Sequence, residues 1–230
     1  MFEWIFQSQH LDTMKDFSQQ STDSVGRFRD LIRKGKDVVL PGHEGLELLT
    51  DNPHYLVPSP PDARQAAVVL MVHASNGYPS LLFIQRADHI HEDKHKGQIA
   101  FPGGKQEENE SLKECALREM EEEIGISLPP DHLTQKLTPL YVAVSNYLVH
   151  PFVAFQETIP GLRPNPEEVS AIIDSPLTEL KNRYGIRRKD MRVRDMILKK
   201  IPYYEVGGQT LWGASALIFA EFLCLLDQHQ

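Results

Sequence analysis

Residues 103–126 read "GGKQEENESLKECALREMEEEIGI", a stretch that carries its own start and stop signals. Ser111 with Glu114 three residues on forms a capping box, and Gly125 stands where a left-handed C-terminal cap belongs, so the pattern predicts a helix from about Leu112 to Ile124. Four glutamates crowd the five positions from Glu119 to Glu123. Like charges at this spacing cost an isolated helix a few tenths of a kcal/mol per pair, and carboxylates in a last turn also face the negative end of the macrodipole. Advancing by about 100° per residue from Glu119 puts Leu112, Ala116, Leu117, Met120 and Ile124 in an arc from roughly 20° to 160°, the expected buried stripe. Glu123 falls inside the edge of that arc at about 40°, Glu122 on the flank at about 300°, and Glu114 and Glu121 on the water face at about 200–220°. Glu119, Glu122 and Glu123 therefore converge at the border of the core, where unpaired carboxylates are costly to desolvate. A divalent cation resolves the conflict, and hard oxygen ligands of this kind suit Mg2+ or Mn2+.

Working outward, "AAVVLMVHA" (66–74) reads as a buried strand, "SNGYPS" (75–80) as a turn, and "LLFIQRA" (81–87) as a second strand. "QIAF" (98–101) is a short strand ended by Pro102 and the glycine pair. Downstream, "LTPLYVAVSNYLVHPFVAFQ" (137–156) supplies further strands, and "NPEEVSAIIDSPLTEL" (165–180) a turn, a short strand and a short helix. "LWGASALIFAEFLCLLDQ" (211–228) reads as an amphipathic helix with Ile218, Phe222 and Leu225 on one face. Strands, a helix, strands again and a closing helix, without a regular β-α repeat, predict an α/β chain of the α+β type: a mixed β-sheet flanked by helices. Residues 1–36 read as an N-terminal helical extension and residues 37–230 as the main domain, entered through a segment rich in proline and glycine.

With 230 residues, 41% of them hydrophobic, a sizeable core can be buried. The formal net charge of −8 argues against nucleic acid or an anionic membrane as a partner, and leaves a small polyanion received by a metal or a local basic cluster. No apolar run reaches the ~18 residues of a membrane span, the N-terminus lacks a signal-peptide pattern, and Cys115 and Cys224 read as reduced core thiols, so the expectation is a cytoplasmic protein, with a homodimer allowed. His89, His91 and His95 lack an evident fourth zinc ligand, and Ser145 with His150 lacks a nucleophile elbow. The basic run "RYGIRRKDMRVRDMILKK" (183–200) reads as a surface strand and loop.

Gly104, Glu110, Arg118, Glu119, Met120, Glu122, Glu123, Gly125 and Ile126 stand at the nine constrained positions of the Nudix box, G-x5-E-x7-R-E-U-x-E-E-x-G-U, which the chain thus resembles. The resemblance implies a Nudix-type α/β/α sandwich and hydrolysis of a nucleoside diphosphate linked to another moiety. It implies that Glu119, Glu122 and Glu123 hold Mg2+ or Mn2+ with a backbone carbonyl of the Gly103–Gly104 turn, that Arg118 orients the glutamates, and that Glu110 anchors the loop before the helix. Glu119 or Glu122 is the candidate base for the attacking water. Upstream, "LLFIQRADHIHEDKHKGQIAFPGG" (81–104) resembles the second motif of the coenzyme A pyrophosphatases of this family. Where a common form carries an arginine four residues before the Gly-Gln pair, this chain has Asp93, with Lys94, His95 and Lys96 adjacent. Arg86, Lys94, His95, Lys96, Gln98 and Phe101 are the candidate substrate contacts under that resemblance. It implies cleavage of coenzyme A or its thioesters to 3',5'-ADP and a 4'-phosphopantetheine product. Another Nudix substrate (ADP-ribose, a nucleoside triphosphate, a capped RNA) and a non-catalytic nucleotide sensor are the alternatives.

Overall fold

The computed structural model describes residues 57–89, 94–177, 186–193 and 196–227, together with Gly26, Asp30, Leu40 and Gly42. Gly26 and Asp30 are helical; the rest of the expected N-terminal helical extension, and the short helix expected near residue 180 beyond Leu177, lie outside the described residues. No described helix is long and apolar enough to cross a membrane.

One sheet has eight strands: β1 (Arg64–Ser75), β2 (Tyr78–Arg86), β3 (Ile99–Ala100), β4 (Gly103–Lys105), β5 (Leu133–Lys136), β6 (Leu140–Val142), β7 (Tyr147–Gln156) and β8 (Val169–Pro176). β1 lies at its centre, parallel to β7 and antiparallel to β2 and β4. The β1–β2 hairpin closes through Asn76 and Gly77, both at positive φ (50° and 80°), the conformation that a two-residue turn matching strand twist requires. β2 pairs on its other side with β3 and β8. A second, antiparallel sheet consists of β9 (Arg187–Val193), β10 (Met196–Val206) and β11 (Gln209–Trp212), so the basic run becomes a hairpin.

Helix α1 (Leu112–Ile124) covers one face of the large sheet and α2 (Gly213–Asp227) the other. Successive side chains of a strand point to opposite faces, and β1 shows both destinations. Ala67, Val69 and Met71 pack with Cys115, Ala116, Met120 and Ile124 of α1, whereas Leu70 and Val72 pack with Phe219 and Phe222 of α2. A strand buried on both faces has no polar alternation to show, and β1 accordingly reads as a continuous apolar run. The mixed sheet between helices agrees with the sequence reading.

α2 departs from it. Residues 216–222 are all buried, including Glu221, so the helix is enclosed rather than amphipathic. The reason is the second sheet: Tyr204, Val206 and Leu211 join the same core cluster and cover the side of α2 that the large sheet leaves open. The Glu221 carboxylate accepts hydrogen bonds from the Thr138 N–H (2.8 Å) and hydroxyl (2.6 Å), which satisfies a charge that enclosure would otherwise strand.

The ends of α1 are set as the sequence predicts. Ser111 and Glu114 exchange the two capping-box hydrogen bonds, and Gly125, at φ 76°, donates its N–H to Glu121 O. The last carbonyls are satisfied from a distant loop: Arg163 N–H donates to Ile124 O and Asn165 N–H to Glu123 O, each at 2.9 Å. A Cβ at Gly125 would lie 3.0 Å from Arg163 Cβ, in a conformation that L side chains rarely adopt. Gly125→Ala should therefore lower stability by about 1–2 kcal/mol, read as a fall in the urea midpoint at unchanged slope.

Candidate active site

Arg118 projects from the flank of α1 and binds three carboxylates at once. Its Nε and Nη2 form a fork with the Glu110 carboxylate (3.0 and 2.9 Å), and Nη1 donates to Glu119 Oε1 (3.0 Å) and Glu122 Oε2 (2.9 Å). Nη2 also reaches Lys105 O (3.1 Å), so one guanidinium ties the pre-helix loop and β4 to the helix. The Arg118 guanidinium holds the Glu110 carboxyl at about 2, well below its ordinary 4.5. Glu110 in turn accepts the Glu107 N–H (2.7 Å), a contact within the loop before the helix.

The glutamates separate by burial. Glu119 and Glu123 are 9% and 1% exposed, whereas Glu114, Glu121 and Glu122 lie in solvent. Buried Cys115, at about 320° on the helical wheel, shows why Glu119 is enclosed: the β4 turn packs on that flank, with the Cys115 thiol 3.6 Å from Gly104 O. The Gly103 N–H donates to Glu123 Oε2 at 2.8 Å. A side chain at Gly103 would collide with Ala67 O and come within 2.6 Å of Val68 Cα; one at Gly104 would occupy the Glu119 carboxylate, 2.6 Å from Oε1. Only glycine lets backbone and carboxylates meet so closely.

A third carboxylate joins them from outside the helix. Ligand oxygens of Glu119, Glu123 and Glu168 lie within 4.8 Å of one another. The loop that caps α1 delivers Glu168: after Asn165 binds Glu123 O, the Asn165 carbonyl accepts the N–H groups of Glu168 and Val169 (3.0 and 2.8 Å) and turns the chain into β8. Burial pushes the Glu123 carboxyl up to about 8, against the Gly103 N–H and the Arg86 guanidinium 3.7 Å away. Burial also raises Glu119, despite the Arg118 charge, and the neighbouring Glu122 and Glu168 charges add to it. Two buried like charges beside a third, around a turn with no room for a side chain, form a donor set that fits a hard divalent cation.

The sequence-predicted residues divide accordingly. Glu119 and Glu123 converge with the Gly103–Gly104 turn, but Glu122, 51% exposed, is held on Arg118 at the rim and is not brought into the cluster. Glu168 is not among the sequence-predicted residues, because "NPEE" reads only as the turn before a strand and carries no spacing signal linking it to the helix. Arg86 belongs to the carboxylate site through Glu123, and not to the loop cations. Lys94 donates to Val144 O (2.9 Å), His95 Nδ1 lies 3.4 Å from Gln98 Oε1, and Lys96 and Gln98 line a cavity with Lys94. Phe101, a candidate substrate contact in the sequence, is instead a core residue: it is 2% exposed, its ring centroid 5.1 Å from that of Phe83. His150 Nε2 contacts Gln65 Oε1 (2.8 Å) and Ser145 Oγ donates to Val142 O (3.5 Å), so these two form no hydrolytic pair.

Comparison with known proteins places the chain. The family model of the NUDIX domain matches residues 63–192. The "Uncharacterized Nudix hydrolase NudL" of Yersinia pestis (strain Pestoides F) is 36% identical over 156 residues, 67% of this chain and 76% of that protein, and the NudL of Yersinia pseudotuberculosis serotype O:1b (strain IP 31758) matches equally. Among solved structures, the MutT/nudix family protein from Enterococcus faecalis aligns over 88% of this chain and 72% of its own with a TM-score of 0.46 and 14% identity. The chain belongs to the Nudix hydrolase family, enzymes that use divalent metal ions to hydrolyse nucleoside diphosphate derivatives.

The Glu110–Arg118 fork has a pH signature. Because the folded value of Glu110, about 2, lies below its ordinary 4.5, its contribution is complete above about pH 4.5 and lost as pH falls through 2. Glu110→Gln should cost about 1–3 kcal/mol at neutral pH, with the difference from wild type shrinking in denaturation curves taken toward pH 2.

Proposed function

We propose that this Nudix hydrolase cleaves the diphosphate of coenzyme A or an acyl-coenzyme A, releasing 3',5'-ADP and 4'-phosphopantetheine or its acyl form. The observation that carries the reading is the continuity of the segment from Lys94 to Lys105. Its first half lines a cavity with Lys94, Lys96 and Gln98, and its second half is the glycine turn against Glu119 and Glu123. In a chain of net charge −8, this pairing of a cationic cavity with a carboxylate cluster suits a polyanion with a diphosphate at one point and a further phosphate at another.

Glu119, Glu123 and Glu168 would hold Mg2+ or Mn2+ beside Gly103 and Gly104. When bound, such an ion supplies Lewis-acid polarisation of the diphosphate and a lowered pKa for a bound water. Glu119 is the group we assign to take the proton of the attacking water, with Arg118 fixing its orientation at 3.0 Å. Glu122, on the solvent side of Arg118, braces the guanidinium in place of taking the proton. Arg86, beside Glu123, offers a fixed cation to a phosphate oxygen at the cleavage point.

Product analysis over a panel of coenzyme A, acetyl-coenzyme A, ADP-ribose and nucleoside triphosphates checks the substrate. Coenzyme A or its thioester should have the highest kcat/KM, and a clear preference for ADP-ribose or a triphosphate would reject it. Glu123→Gln should lower kcat by about 100-fold or more while the fold survives, whereas Glu122→Gln should lower it by about tenfold or less. Equal losses would return Glu122 to the centre of the site.

A further inference from the structure

The second sheet has no role in the site described so far, yet it forms one wall of the cavity on the Lys94–Gln98 segment. This cavity, about 340 Å³, is lined on one side by Lys94, Lys96 and Gln98 and on the other by Arg192 of β9 with Thr210 and Trp212 of β11. Three cations thus face one space, and no acidic side chain lines it among the described residues. On the same hairpin Arg187 pairs with Glu205, Asp190 accepts the Lys200 N–H at 2.9 Å, and Lys189 lies over the Tyr203 ring (4.6 Å) and donates to the Thr210 hydroxyl (2.6 Å). Among the described residues, neither Lys96 nor Arg192 forms an ion pair.

We propose that the second sheet completes the substrate site: the cavity is a phosphomonoester subsite in which Lys96 and Arg192 take the anion and the Trp212 indole walls the group that carries it. The space is sufficient for a ligand fragment larger than phosphate alone. Two cations from separate elements can grip a dianion from two sides, which a single loop lysine cannot. The subsite is physically joined to the carboxylate cluster. The Arg86 N–H donates to Gln98 O (3.0 Å) and the Gly97 N–H to Arg86 O (3.1 Å), while the Arg86 side chain reaches Glu123. Gln98 and Gly103 are five residues apart, so the two sites lie within about 18 Å along the chain, a span that one extended nucleotide derivative can bridge. Which substrate spans it rests on the coenzyme A reading; the anion preference of the cavity does not.

The test uses the full chain carrying Trp4→Phe, which leaves Trp212 as the only tryptophan. Adenosine 3',5'-bisphosphate and adenosine 5'-monophosphate are titrated without divalent metal while indole fluorescence is followed. The bisphosphate should perturb Trp212 and bind about tenfold or more tightly than the monophosphate, since hydrogen bonds between charged groups shift affinity by that order. Arg192→Ala should abolish that preference and Arg192→Lys should keep part of it, with thermal melting confirming that the exposed substitution leaves the fold intact. In turnover, Arg192→Ala should reduce the kcat/KM ratio of coenzyme A to its 3'-dephospho form by about tenfold. Equal binding of the two nucleotides, or a preference untouched by Arg192→Ala, overturns the subsite. If the preference and its loss are seen but coenzyme A is not cleaved, the substrate reading falls and the subsite stands; if coenzyme A is the best substrate and Arg192→Ala changes neither measurement, the reverse holds.

Discussion

The rest of the site depends on one hydrogen bond, from the Gly103 N–H to the buried carboxylate of Glu123. It requires the backbone of β4 to pass between β1 and α1 with no side chain on either of two consecutive residues. Glycine meets that demand because it has no Cβ and because Gly103 adopts φ 144°, outside the range L side chains favour. Once the turn is in place, the register of β4 on β1 and the packing of Cys115 against Gly104 follow from the same close approach. The helix then has its acidic flank pressed against backbone where a solvated surface helix would face water.

That packing concentrates like charges, and the chain manages them in two ways. Arg118 pairs with Glu119 and Glu122 of the charge run, and its fork with Glu110 braces the loop against the helix. Glu123 is held less well: one hydrogen bond and a guanidinium at 3.7 Å do not offset its burial, which raises its proton affinity. A local conflict of this kind, kept while every neighbouring choice agrees with the fold, marks a site where function overrides stability.

The second sheet links the two halves of the molecule's chemistry. It closes over α2, which turns that helix from an expected surface element into an enclosed one, and its outer end leans over the segment leading to the glycine turn. The basic run that reads in sequence as a surface strand is thereby part of a cavity wall. Glu168 has a similar history: its neighbour Asn165 serves the helix C-terminus, and the carboxylate arrives in the cluster as a consequence of capping.

What the sequence by itself determined is local and periodic. The capping box and Gly125 set the limits of α1, the Asn-Gly turn set the first hairpin, and the box spacing named Glu119, Glu123, Arg118 and the glycine pair, because each of these signals lies within one helix, one turn or one short segment. Tertiary structure decided everything that depends on which distant segments meet. It sent Phe101 into the core, held Glu122 on Arg118 at the rim, brought Glu168 to the cluster and placed Arg192 and Lys96 in the lining of one cavity. The physical reason is the same in each case: burial, charge pairing and convergence are properties of the space between elements, and helical or strand periodicity reports only which face of an element a residue occupies.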